Sequence, residues 1–245
     1  MKRLFFVVCS IILTIYGSFA INYNEEWKRV DSLMDQVALR DAAGLAKDLY
    51  EVANKDNNHR QMLRAEIYSF AIDMGCEASL YDLNHVEVPH NTNIEEGNEI
   101  LDNHYLKALS LLNKFDDKIE RAVVQYYILT LFSEYHLLNN EYHLLNQRDK
   151  YTLRHDSLRS DAKLSQLTYL EFVEKYLSYQ DSLLNFIGSL GSVPTSDYDD
   201  FLIIKENNKQ VKLLDVFVDA LLQSAKNTVD KSFNFQSYNL PTLDR

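Results

Sequence analysis

The residues with the most chemical potential in this chain sit in two tandem heptapeptides, Glu134-Tyr135-His136-Leu137-Leu138-Asn139-Asn140 and then Glu141-Tyr142-His143-Leu144-Leu145-Asn146-Gln147. Histidine and glutamate are the side chains of zinc sites and of general acid–base chemistry, and a helical zinc site needs two histidines four residues apart. A repeat of seven instead places His136 and His143 at similar angles on a helix but about 10 Å apart along its axis, too far for one ion. The pattern reads as a small duplication that kept a helix in register. An enzymatic reading rests on His136, Glu141 and His143 alone.

Elsewhere His85, Glu87 and His90 fall in a polar stretch, where they read as a solvated loop. Asp197, Asp199 and Asp200 imitate the opening of a calcium loop without the glycine and closing glutamate that such a loop needs. The sequence contains no Gly-rich phosphate cradle, Gly-x-Ser-x-Gly elbow or Cys–His nucleophile pair. We therefore assign no catalytic residue, no metal ligand and no cofactor from the sequence. Tyrosines recur at 126, 127, 135, 142, 169, 176 and 179. Tyrosine offers large contact area with a polar tip, so Tyr126, Tyr135 and Tyr142 are candidate partner-binding residues, with helix packing as the competing use.

These residues need helices to position them. Glycine and proline number only six and three, too few for a protein of many tight turns. Apolar residues Trp27, Val30, Met34 and Val37 mark a first helix over 24–37 at steps of three and four. Asp41 is placed to cap a second, with Leu45, Leu49 and Ala53 facing inward and Ala42, Ala43 and Ala46 permitting close approach. Leu63, Ile67, Phe70, Ala71 and Met74 define a third. Helix starts near 24, 41 and 58 give about 34 residues per helical pair, the length of a tetratricopeptide unit, although the glycines and prolines of the standard repeat are missing.

Residues 77–98, with Pro89 and Gly97, read as an irregular connection and a potential subdivision. A helix over 99–113 follows, with Leu101, Tyr105, Ala108 and Leu112 inward. Asp116 is placed to cap a helix over 117–147, apolar nearly all round at 122–129 and therefore central. The pattern predicts another helix over 161–187 through Leu167, Leu170, Val173, Leu177 and Leu184. A loop marked by Gly188, Gly191 and Pro194 comes next, then a short extended piece at 201–204. The last helix spans 212–229, bearing Leu214, Val218, Leu221 and Ala225, and 231–245 is an irregular tail. The predicted class is all-α, a stack of helical hairpins over 21–230.

Residues 1–20 read as a cleaved secretory signal: Lys2 and Arg3, an apolar run over 4–17 too short to span a bilayer, then Ser18-Phe19-Ala20. Their removal leaves 23 basic against 36 acidic residues, a formal charge of about −13. Such dispersed basic residues exclude a nucleic-acid footprint. One cysteine, Cys76, remains, so no intramolecular disulfide can form, and its setting at a helix end suits burial. The expected location is secreted or periplasmic, with no transmembrane segment in the mature chain.

Trp27-Lys28-Arg29-Val30-Asp31-Ser32-Leu33-Met34, Asp48-Leu49-Tyr50-Glu51-Val52-Ala53 and Gln61-Met62-Leu63-Arg64-Ala65 resemble the N-terminal helical region of large bacterial alpha-2-macroglobulin-like proteins. Ser196-Asp197-Tyr198 and residues 212–221 are similar to the end of that region, so the likeness covers about 24–240. The resemblance implies an envelope protein that traps proteases through β-sandwich domains and, in many members, a Cys-x-Glu-Gln thioester. Cys76-Glu77-Ala78-Ser79 is not that motif, and no functional residue carries over. The resulting expectation is a secreted, non-enzymatic helical scaffold or protein-interaction module. On this expectation its partner is another protein or the missing downstream macroglobulin-type domains, in which second case the chain would be a truncated or split gene product. The alternative is a stand-alone envelope protein that binds a peptide or glycan on a tyrosine-lined face.

Overall fold

Amphipathic stretches separated by only three residues oblige a chain to double back, and this one does so repeatedly. The computed structural model describes residues 21–75, 93–140, 163–194, 198, 212–215 and 217–218. Five long helices come first: α1 (Tyr23–Asp35), α2 (Leu39–Lys55), α3 (His59–Met74), α4 (Ile94–Lys114) and α5 (Lys118–Asn140). A 3-10 turn (Leu164–Gln166), α6 (Tyr169–Leu184) and the one-turn α7 (Ile187–Leu190) follow. The described residues form an all-α structure without a strand, and their one isolated bridge pairs Pro194 with Lys212. None of their helices is long and apolar enough to cross a membrane.

Helix ends are set by local chemistry, in places differently from expectation. Asp41 lies inside the first turn of α2, whose N-cap is Ala38 without a side-chain bond. The cap expected at Asp116 is supplied by Asp117, whose Oδ1 accepts from the amides of Ile119 at 2.8 Å and Glu120 at 3.0 Å. Asn58 does cap α3, accepting from the Gln61 amide at 3.3 Å. α4 begins at Ile94 rather than 99, because the Asn93 side chain accepts from the Glu95 amide and Gly97 is absorbed into the helix. The helix expected over 161–187 is broken: Thr168 and Glu171 form a capping box that starts α6 afresh. Arg121 closes the other end of α4, donating to the Leu112 and Phe115 carbonyls at 2.6 and 3.0 Å.

Each helix packs chiefly on the next in sequence, from α1 through α6, with a lesser contact between α3 and α5. The three-residue turns at 36–38, 56–58 and 115–117 make those neighbours antiparallel. α3 lies at the centre, burying twelve of its sixteen residues, so it serves two cores at once. One face joins Trp27, Val30, Ala42, Ala46 and Leu49 through Ala65, Tyr68 and Ile72. The other sends Met62, Leu63, Ile67, Phe70 and Met74 into the main core with α4, α5 and α6. Residues 122–129 of α5 are buried throughout, which confirms the expected central position.

The inward stripe of α6 differs from the expected one. Phe172, Tyr176 and Leu183 are buried, whereas Leu177 and Leu184 are 49% and 47% exposed. Two apolar stripes compete on this helix, and the aromatic one buries more surface against Phe132, whose ring lies 4.8 Å from Phe172. A similar shift places Leu213 and Phe217 inside in place of Leu214 and Val218, which are only partly buried. The expected signal, the extended piece at 201–204, the 231–245 tail and most of 77–98 lie outside the described residues.

Candidate functional site

Two of the three tyrosines first raised as partner contacts, Tyr126 and Tyr135, turn inward. Tyr126 is buried and stacks on Phe217 with ring centroids 4.6 Å apart. Tyr135 is almost fully buried, 5.7 Å from Phe172. Tyr142 lies outside the described residues, as do His143, Glu141, Cys76, His85, Glu87, His90, Asp197, Asp199 and Asp200. His136 also packs inward near Phe172, and burial lowers its pKa to about 4. Among the described residues no group of three or more His, Cys, Asp or Glu is placed to hold a metal ion.

The structure instead gathers its polar chemistry along α3. Glu66 and Asp73 are seven residues apart, which puts both carboxylates on one face of the helix. His104 of α4 inserts between them. Its Nδ1 lies 2.5 Å from Glu66 Oε1 and its Nε2 3.0 Å from Asp73 Oδ2. Lys107, one turn further along α4, brings Nζ within 3.5 Å of Glu66 Oε2. The imidazole and the Glu66 carboxylate are 1% and 3% exposed, while Asp73 and Lys107 are 45% and 50% exposed, so the cluster is a buried pair whose outer partners reach solvent. Phe70 meets the imidazole edge-on at 5.3 Å.

Carboxylates only accept hydrogen bonds, and a neutral imidazole has one N–H and one lone pair, so two carboxylate partners call for the doubly protonated ring. Burial alone would lower the His104 pKa. The hydrogen bonds to Asp73 and Glu66, with the Glu66 charge, outweigh burial and the opposing Lys107, and hold the ring above its ordinary 6.5. With both nitrogens occupied, the ring has no lone pair for a metal or for base catalysis. Its chemistry here is to tie α3 to α4.

A second cluster joins α1 to α3. Trp27 Nε1–H donates to Gln61 Oε1 at 2.6 Å, and Tyr68 donates its hydroxyl proton to Asp31 Oδ1 at 2.7 Å. The Arg64 guanidinium lies over the Trp27 ring at 4.5 Å and the Tyr68 ring at 5.3 Å. Burial leads the causes that push the Tyr68 phenol up to about 12. At the opposite end His59 meets Glu120 at 2.7 Å and stacks on Phe115 at 4.3 Å, which binds the start of α3 to the start of α5. Asp102 accepts from both the amide and the hydroxyl of Ser165, securing the 3-10 turn to α4.

Glu134 behaves differently. It is fully buried on α5, and neither carboxyl oxygen has a hydrogen-bond partner among the described residues. Burial pushes its pKa up to about 8, so the carboxyl is protonated at neutral pH.

Sequence reasoning passed over His104, Glu66 and Asp73. Their signal was a polar residue inside an apolar stripe: His104 sits between Leu101 and Ala108, and Glu66 beside Ile67. No family model matches this chain, and comparison with characterised proteins and with solved structures likewise finds no match.

Proposed function

We propose that this chain is an exported helical scaffold that works by binding another protein. The observation that carries the reading is the sequential packing of α1 through α6, each helix on its neighbour. That layout is shared by helical-hairpin stacks of the tetratricopeptide type, whose exposed faces serve as contact surfaces. The polar clusters support it as well. Trp27–Gln61, Tyr68–Asp31 and His104 between Glu66 and Asp73 join one helix to another, as a scaffold requires. Export rests on the signal-like residues 1–20, and kinship with macroglobulin-like proteins rests on the sequence segments that resemble them.

The test is to fractionate cells of the native host and sequence the N-terminus of the product. Protein found outside the cytoplasm, beginning near Ile21, is the expected result. Cytoplasmic protein that retains residues 1–20 contradicts export and removes the envelope setting from the reading.

A further inference from the structure

The helices fall into two groups by their covalent connections. Three-residue turns join α1 to α2, α2 to α3 and α4 to α5, whereas residues 75–93 separate α3 from α4. A long connection does little to fix how two helices sit against each other, so side chains must set the α3–α4 seam. Apolar contacts fill it without specifying register closely. Among the described residues the directional contacts across it are those of His104 with Glu66 and Asp73, of Lys107 with Glu66, and of Lys114 with Met62. Only the first of these is buried at its centre and depends on a proton that an imidazole can release.

We propose that His104 is a proton-operated clasp across the α3–α4 seam, closed while both ring nitrogens carry protons and released when one is lost. A neutral ring turns a lone pair toward a carboxylate that can offer only lone pairs of its own. Glu66 is then left buried with the half-exposed Lys107 as its remaining cation among the described residues, and a buried charge that loses one of its partners is destabilising. The charged and titratable groups bearing on the ring are Glu66 and Asp73 from α3 and Lys107 from α4 itself. Tyr50 of α2 connects to the cluster through the Glu66 charge, and α5 contributes no charge to it among the described residues. Because the folded-state value is raised, the clasp's stabilisation is complete below pH 6.5 and disappears as pH rises through the folded value. Asp73, partly open to water, is the route by which the proton leaves.

The experiment combines 15N-detected titration of the His104 ring with amide hydrogen exchange between pH 6 and 10, corrected for the intrinsic rise in exchange rate with pH. The clasp predicts two protonated nitrogens at pH 7. It also predicts at least a tenfold loss of α3 and α4 amide protection that follows the ring's titration. Asp73→Asn, at a half-exposed position, should move both the titration and the loss of protection to lower pH together. His104→Gln should remove the part of the loss that follows the ring's titration and leave the fall that ionisation of Glu134 brings to the whole fold. A ring with one unprotonated nitrogen at pH 7 overturns the proposal. So does protection that ignores the titration, or an Asp73→Asn protein in which neither moves.

Discussion

Glu134 offers the sharpest quantitative test of this structure, because a buried carboxyl with no hydrogen-bond partner among the described residues must destabilise the fold in a pH-dependent way. Its folded-state value of about 8 stands above the ordinary 4.5. For a raised value the group's contribution is most favourable below pH 4.5 and is lost as pH climbs to about 8. At pH 7 the folded protein keeps a proton that the unfolded chain has released. At about 1.4 kcal/mol per pH unit, that difference costs about 3 kcal/mol. Glu134→Gln keeps the shape and removes the ionisation, so it should stabilise the protein by about 3 kcal/mol at pH 7 relative to its effect at pH 4. Glu134→Met, which also removes the unpaired polar atoms, should stabilise it further. Urea denaturation of both variants and the parent across pH 4–9 measures the difference directly. A Glu134→Gln difference that is flat with pH, or a variant less stable than the parent at pH 7, would show that the carboxyl is partnered or hydrated and refute the reasoning.

Two further outcomes follow from the backbone and its caps. Val37 ends α1 with φ at 58° and is 76% exposed, while the amides of Val37 and Ala38 donate back to Met34 and Leu33 at 2.8 Å. A β-branched residue is strained in that left-handed position, where α3 uses Gly75. Val37→Gly should therefore raise stability by about 1 kcal/mol in the same denaturation assay, and a loss would contradict the strain argument. Thr168→Ala removes the hydroxyl that accepts from the Glu171 amide and should cost about 1 kcal/mol. Faster amide exchange in the first turn of α6 should accompany that loss.

What the sequence discloses and what it hides divide by range. The stripes of α1 and α2 are legible because Trp27, Val30, Leu49 and Ala53 repeat at the helical period and do face the core. The central place of 122–129 is legible for the same reason. α3 is harder to read, since Gln61, Arg64 and Glu66 break its apolar pattern and yet are buried, each answered by a residue from elsewhere or stacked on one. His104 and Glu66 are 38 residues apart, and no local pattern announces such a pair. On α6 the two candidate stripes differ only in which one meets Phe132, a fact of tertiary packing. The tyrosines mislead in the same way: the tip that suits Tyr126 and Tyr135 to a partner also suits them to a core where the ring is buried.

The central claim is that this helical stack exists to hold another protein, and its native size tests that most directly. The mature protein should be extracted from its own compartment without denaturant, and its mass measured by sedimentation with an antibody to residues 24–240 as the detector. The account predicts a complex heavier than the chain, containing an unlike protein and reduced to the single chain by denaturant. A sharp species at the mass of one chain, with no heavier form after crosslinking in intact cells, would contradict it.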